Sequence, residues 1–274
     1  MAQKPKNIEL KLEDVDVLTT GMTAEFVNGI LDFLLFQRSQ IPFVYKTYKY
    51  YVEKWDEEDA SKMKDDQDFK KYQFEKQRSI AKETKKAISD MREVIRNAFK
   101  RSESVKSLRF LFGNSTFMPT EAYTIHIPHA SISKQHGDIH TSSVLGALNK
   151  ALINLSICED LYGCWSKDLK ATKVFLEMEL LTQGENQTVK LIPKDVVSQL
   201  PRSCKNIHFH LLHVNDNPAQ ELLCCKELTI FEDLESLTLS REENIDTPEN
   251  ITGWWQADVI VRGFTPSSFE MWSN

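Results

Sequence analysis

The stretch from Thr141 to Tyr162 constrains the fold most, because apolar side chains cover most of its circumference if it is helical. Hydroxyl groups at 141–143 can cap its first turn, and Lys150 is the one charge in its central part. A helix of this composition is usually buried in the middle of a domain. We therefore expect a central helix, on which Asn149 and Asn154 either have partners at a packing edge or lie on a partner-binding face.

The remainder of the chain predicts an α+β domain. Residues 1–21 are polar and are expected to form a flexible tail, although part of them alternates apolar and polar residues like a strand. A helix is predicted from Thr23 to about Gln37. After it we expect a short helix over 43–55, an exposed charged loop over 56–68 and a long amphipathic helix over Phe69–Arg101.

The second half of the chain is richer in strand patterns than the first. Six strands are predicted, at Val105–Phe112, Ala122–Ile127, Lys173–Leu181, Asn206–His213, Leu222–Phe231 and Trp254–Arg262. The expected architecture is therefore a single domain over 22–274, in which three main helices pack on a mostly antiparallel sheet.

Composition argues against two classes of partner. The net charge of -6 is unlike that of a general nucleic-acid-coating protein. Residues 68–101 nevertheless hold eleven Lys or Arg against five Asp or Glu, which leaves nucleic-acid binding as a weak alternative. No run of about 18 apolar residues exists, so no membrane span is predicted.

The five cysteines include no C-x-x-C pair, and no apolar signal core begins the chain, so free thiols in a reducing compartment are expected.

Catalytic motifs are missing from the sequence. It has no GxxxxGK[ST], GxGxxG or GxSxG pattern, so we predict a protein without enzymatic activity or cofactor. The alternative is a zinc-dependent enzyme, because two groups of histidines lie close together in the sequence. A zinc site needs three or four converging ligands, which the spacing of neither group encodes. The two groups are His126, His129, His136 and His140, and His208, His210 and His213.

Three segments together resemble a known family. They are Phe33–Tyr45 (FLLFQRSQIPFVY), residues 108–127 (LRFLFGNSTFMPTEAYTIHI) after the long helix, and Trp254–Phe264 (WWQADVIVRGF) near the end. In this order and spacing they are similar to segments of the HORMA-like family of the comet protein, the partner of the spindle-checkpoint protein Mad-two.

The resemblance implies a fold and a function. The fold would be a HORMA-like domain with a C-terminal closing strand segment. The function would be that of a non-enzymatic adaptor, which binds closed Mad-two of the mitotic checkpoint complex and presents it to a Pch-two-type AAA+ ATPase. Remodelling by the ATPase then silences the spindle checkpoint. Such an adaptor is expected in the nucleus and cytoplasm, and at the spindle or kinetochore in mitosis.

The resemblance also implies candidate site residues. Gln37 matches a partner contact at the helix end, and Arg38 lies beside it on the same Mad-two-binding face. Asn149 stands where the family has a partner-facing aromatic residue, with Leu152 about one turn further on. Pro193-Lys194 matches a pair used toward the ATPase. Since this pair lies between two predicted strands, we expect Pro193 to stiffen an exposed turn from which Lys194 projects a mobile charge.

Overall fold

A computed structural model describes residues 5–13, 15, 17–61, 69–101, 105–132, 144–182, 190–213, 251–266 and 272. These ranges contain five α-helices and eight strands, so the predicted α+β class is confirmed. The helices are α1 (Thr20–Gln37), α2 (Tyr45–Ser61), α3 (Phe69–Arg101), α4 (Val144–Ser156) and α5 (Glu159–Trp165). The strands are β1 (Lys6–Leu12), β2 (Val105–Gly113), β3 (Pro119–His126), β4 (Lys173–Thr182), β5 (Leu191–Lys194), β6 (Lys205–His213), β7 (Ile251–Ala257) and β8 (Val261–Arg262).

All eight strands belong to one mixed sheet. Their order is β1-β6-β3-β2-β4-β7-β5, and β8 pairs with β4 beside this path. Strand β6 runs parallel to both β1 and β3, and the other pairings are antiparallel. Alternate residues of the strands, such as Leu108, Phe110 and Phe112, point toward the helices, and the strands and helices together form the main core. The opposite face carries only a small second cluster among the described residues, around Leu111 and Phe175.

Helix α1 is the enclosed helix of this fold. Eleven of its 18 residues are buried, and it contacts α2, α3 and α4. Its first turn is capped by Thr19, whose hydroxyl oxygen accepts a hydrogen bond of 3.2 Å from the backbone N–H of Met22. The helix ends at Gln37, where Ser39 adopts a φ of 56° and turns the chain.

The stretch 141–162 is not the central helix that its composition predicts. Its described part forms α4 and the start of α5, separated by a break at Ile157–Cys158. Only one side of α4 is buried, through Ala147, Ala151 and Leu155. The prediction of a single buried helix is therefore wrong, because α4 packs at the margin of a core that α1 already fills.

Two further segments differ from the sequence-based expectation. The expected flexible tail contains β1, whose Ile8, Leu10 and Leu12 are buried against the core while its backbone pairs with β6. Helix α2 continues to Ser61, so it covers the first part of the expected loop over 56–68, and 62–68 lie outside the described residues. The alternating pattern in the tail was the correct signal for β1.

The other predicted elements are found close to their expected positions. The long helix Phe69–Arg101 and four of the six predicted strands are confirmed, with ends that differ by a few residues. The segment Trp254–Arg262 is divided between β7 and β8, and Leu222–Phe231 lies outside the described residues. Within the described ranges, no helix combines the length and apolarity needed to cross a membrane.

Candidate functional site

Helix α4 carries a row of exposed apolar side chains on the side away from the core. Leu145, Ile153 and Ile157 are 68%, 60% and 66% exposed. Asn149 is also exposed and continues the same four-residue spacing. Residues four apart are neighbours on a helix surface, so Leu145, Asn149 and Ile153 of α4 adjoin one another, and Ile157 follows directly after the end of the helix. We call these four residues, three apolar and one polar, the α4 strip. Contiguous exposed apolar surfaces of this kind mark sites of protein–protein contact.

The opposite side of α4 holds the strip in position. A Cβ atom at Gly29 of α1 would lie 2.6 Å from a methyl carbon of Leu148, so the glycine permits a close approach of the two helices. Leu152 is half-buried and packs against the main core. Of the two predicted contacts on this helix, Asn149 therefore lies on the α4 strip and Leu152 lies between the strip and the core.

The predicted contacts Gln37 and Arg38, at the end of α1, differ in how accessible their side chains are. Gln37 is half-buried and keeps accessible surface. Arg38 is 2% exposed, and its guanidinium donates two hydrogen bonds of 2.9 Å to the carboxylate of fully buried Glu121. A third bond of 2.8 Å goes from Arg38 to the carbonyl of Lys167. The Arg38 side chain is thus buried and hydrogen-bonded within the protein. It lacks the accessible surface that its predicted role as a partner contact requires.

Glu121 accepts further hydrogen bonds in the interior, as a buried carboxylate must if it is to stay charged. The hydroxyl of Tyr123 donates to it at 2.6 Å and the ammonium of Lys205 at 3.1 Å. The indole N–H of Trp165 donates in turn to the Tyr123 oxygen at 2.9 Å. Burial raises the pKa of Tyr123 well above its usual value, which keeps its hydroxyl a donor. We call these residues with Arg38 the Glu121 cluster; it joins α1, β3, β6 and α5.

Gln40 connects the same segment to the start of β4 and to the C-terminal part of the chain. Its side-chain carbonyl accepts from the backbone N–H of Thr172 at 2.8 Å, and its backbone carbonyl accepts from Phe264 N–H at 2.7 Å. A Cβ atom at Gly263 would collide with the Gln40 side chain, so only glycine fits there without a shift. The Q-R-x-Q pattern is therefore mainly a structural motif.

The predicted ATPase contact lies on β5, a terminal strand of the described sheet. Pro193 is exposed, as expected for proline on a terminal strand. The Lys194 ammonium donates to the carboxylate of Glu177 at 2.5 Å and to the Ser198 hydroxyl at 2.7 Å, and Glu177 is fully buried. The expectation of a mobile positive charge at Lys194 is wrong, because burial of Glu177 requires a counter-ion.

Exposed apolar residues flank the pair. Ile192 is 50% exposed and Val196 is 65% exposed, one on either side of Pro193-Lys194. The accessible surface of this edge therefore combines two apolar side chains with the exposed Asp195 and with Lys194, which is only 21% exposed. We call residues 192–196 the β5 edge.

Three of the predicted histidine ligands meet on the face of the sheet away from the helices. His126 Nε2 and His208 Nδ1 are 2.8 Å apart, and the rings of His126 and His210 stack with centroids 4.4 Å apart. Burial, followed by the proximity of His210, lowers the pKa of His126. Burial, followed by His126, lowers the pKa of His208 to about 4. These two imidazoles are therefore neutral at neutral pH.

The geometry of the histidines does not resemble a metal centre. Parallel stacked rings direct their nitrogens along parallel planes, whereas zinc ligands converge on one point. Within the part of the chain that the structure describes, no group of three or more His, Cys, Asp or Glu is placed to hold a metal ion. His213 contacts the Val15 carbonyl instead, at 2.7 Å, and His136 and His140 lie outside the described residues.

Sequence reasoning missed three features of these sites. Glu121 and Glu177 each interrupt an apolar strand pattern, and a carboxylate at such a position signals a buried charge that requires a basic partner. The exposed positions Ile153 and Ile157 were also missed. The sequence did contain a signal for them, because residues 141–162 are apolar on most sides of a helix. A helix at the margin of a core buries only one side, so some of these apolar residues must be exposed.

Replacing Arg38 tests the Glu121 cluster. Arg38→Ala should lower the free energy of unfolding by about 3–5 kcal/mol, since it leaves a buried carboxylate without its bidentate partner. Urea denaturation followed by circular dichroism measures this change. Arg96→Ala is the control, because the Arg96 ion pair with Glu25 is partly exposed and should contribute about 1 kcal/mol or less. Equal effects of the two substitutions would contradict the assignment.

Lys194→Ala should likewise destabilise the protein, by about 2–4 kcal/mol, because Glu177 would stay buried with its ammonium partner removed. Thermal and urea unfolding measure the effect. Lys190→Ala is a matched control, since the described partner of the Lys190 ammonium is partly exposed Asp90, 3.6 Å away. A Lys194→Ala protein as stable as the control would mean that Glu177 is compensated by other groups.

The stacked histidines predict a pH dependence. The pKa of His208 is lowered from 6.5 to about 4, so the unfolded chain binds the proton more tightly than the folded chain. The contribution of neutral His208 to the free energy of unfolding is present above pH 6.5 and is lost as the pH falls toward 4. His208→Gln should reduce the slope of unfolding free energy against pH in this window. Identical slopes for the variant and the wild type would contradict the prediction.

No protein-family model and no curated protein matches this chain. The choice of a function therefore depends on the geometry of the α4 strip and the β5 edge, and on the three segments that carry the family resemblance.

Proposed function

We propose that this chain is a non-enzymatic adaptor of HORMA-like fold, which binds closed Mad-two and presents it to a Pch-two-type AAA+ ATPase for remodelling. The α4 strip is the observation that carries this proposal. It offers a protein partner an apolar surface whose flanks are polar, which is the usual anatomy of an interface. Asn149 lies within the strip, at the position that the resemblance assigns to a partner-facing residue.

The aliphatic neighbours of Asn149 compensate for the aromatic residue that the family has at this position. Leu145 and Ile153 lie four residues before and after it, and both are more than half exposed. Together they supply the apolar area that one aromatic ring would otherwise give. Gln37, which keeps accessible surface at the end of α1, is the proposed polar contact to the same partner.

The HORMA-like fold is supported by the way in which the three resembling segments meet. Arg38 of the first segment binds Glu121 of the second. Gln40 of the first segment accepts a backbone hydrogen bond from Phe264 of the third. The order of elements also agrees with the proposal, since strands β7 and β8 close the sheet against β4 from the C-terminal side.

The two proposed contact surfaces lie at opposite edges of the sheet. Helix α4 contacts β1, which is one terminal strand of the described sheet, and the β5 edge belongs to the other terminal strand. A molecule with this arrangement can bind two proteins at once without competition between them. We propose that the ATPase contacts Pro193 and its exposed neighbours, while the ion pair of Lys194 holds this strand in place.

Reciprocal substitutions test the two surfaces. Ile153→Asp should weaken binding to purified closed Mad-two by about 2 kcal/mol or more, roughly thirtyfold in Kd, because it puts a charge into the apolar interface. Its melting temperature should be unchanged, since the side chain is 60% exposed. Isothermal titration calorimetry with closed Mad-two measures the affinity.

Ile192→Asp on the β5 edge is the matched control. It should retain the affinity for closed Mad-two and lose the ATPase-dependent conversion of closed Mad-two. Unaltered Mad-two binding by a folded Ile153→Asp protein would remove the α4 strip from the interface. Full conversion with Ile192→Asp would remove the β5 edge from the ATPase contact.

A further inference from the structure

Helix α2 and its flanks form an aromatic pocket that holds Trp272, near the end of the chain. Trp272 is only 6% exposed. Its ring lies 4.4 Å from that of Trp55 and 5.1 Å from that of Phe43, measured between centroids. Tyr48 and Tyr51 each lie 5.8 Å away. These four residues, which we call the α2 pocket, enclose a side chain more than 200 residues distant in sequence.

Contacts that do not involve Trp272 hold the walls of the α2 pocket in place. The Tyr48 hydroxyl donates to the Ala81 carbonyl of α3 at 2.9 Å. The Arg78 guanidinium lies 5.0 Å from the centre of the Trp55 ring. The rings of Phe43 and Tyr51 lie 5.4 Å apart, in contact with each other. The shape of the pocket is therefore set by the packing of α2 on α3 and would persist without its occupant.

Among the described residues, the contacts of Trp272 are made by the faces and edges of its ring. Its indole Nε1 is buried, and no described residue accepts a hydrogen bond from it. The desolvation of such a donor opposes the gain from aromatic packing. An indole that is anchored through its ring faces can be replaced by another tryptophan that offers the same faces.

We propose that the α2 pocket is a peptide-binding site for a tryptophan-anchored segment, and that the C-terminal segment of this chain is its resident ligand. Tethering supplies this segment at an effective concentration of the order of millimolar, so a weak contact stays occupied. The site lies on α2, apart from the α4 strip and the β5 edge, and does not depend on the proposed adaptor function.

A peptide added in trans tests the site. The probe is a fluorescein-labelled peptide of residues 265–274 (TPSSFEMWSN), and the protein is the full chain carrying Trp272→Ala. Fluorescence anisotropy should show saturable binding to this variant and binding at least about tenfold weaker to the wild type, whose own Trp272 competes. The same peptide with alanine in place of tryptophan is the control ligand and should not bind.

Two results would overturn the proposal. One is a Trp272→Ala protein that unfolds cooperatively but does not bind the peptide. The other is equal binding by the variant and the wild type, which would place the peptide elsewhere.

A second measurement uses the wild type and needs no stable variant. After 5-fluorotryptophan labelling, the fluorine resonance missing from Trp272→Phe is that of Trp272. Excess unlabelled peptide at millimolar concentration should move this resonance to the position of a solvent-exposed indole. A resonance that stays in place would contradict exchange at the pocket.

Discussion

The bidentate ion pair between Arg38 and Glu121 is the interaction on which the arrangement of the other elements depends. Both groups are almost completely buried, so each compensates the charge of the other in place of water. The pair fixes the end of the enclosed helix α1 to the middle of the sheet. Lys205 adds β6 to this junction, and Trp165 adds α5 through Tyr123. Since α1 also contacts α4, the position of the α4 strip follows from where the pair holds α1.

At the candidate sites charged side chains are buried or mostly buried and apolar side chains are exposed, which is the reverse of the usual distribution. Arg38 and Lys194, the charged members of the two predicted contact motifs, both neutralise buried carboxylates. Exposed apolar side chains occur at Ile153 on α4 and at Ile192 on β5. A charge removed from water must be paired within the protein, whereas an apolar side chain can stay exposed at modest cost until a partner covers it.

The C-terminal part of the chain joins distant layers of the structure. Strands β7 and β8 add to β4 within the sheet, Phe264 bonds to the backbone of Gln40, and Trp272 enters the aromatic pocket on α2. These contacts link the last described residues to the first two helices.

The sequence by itself determined the α+β class, the amphipathic helix Phe69–Arg101 and four of the strands, because each depends on a local period of apolar residues. It left open whether Asn149 is paired at a packing edge or lies on an exposed face. Only the tertiary structure decided that Arg38 pairs with Glu121, that Lys194 pairs with Glu177, and that α4 exposes one side. Such contacts join residues far apart in the chain, and a stretch that is apolar on most sides, such as 141–162, has no periodicity that identifies which side the core will bury.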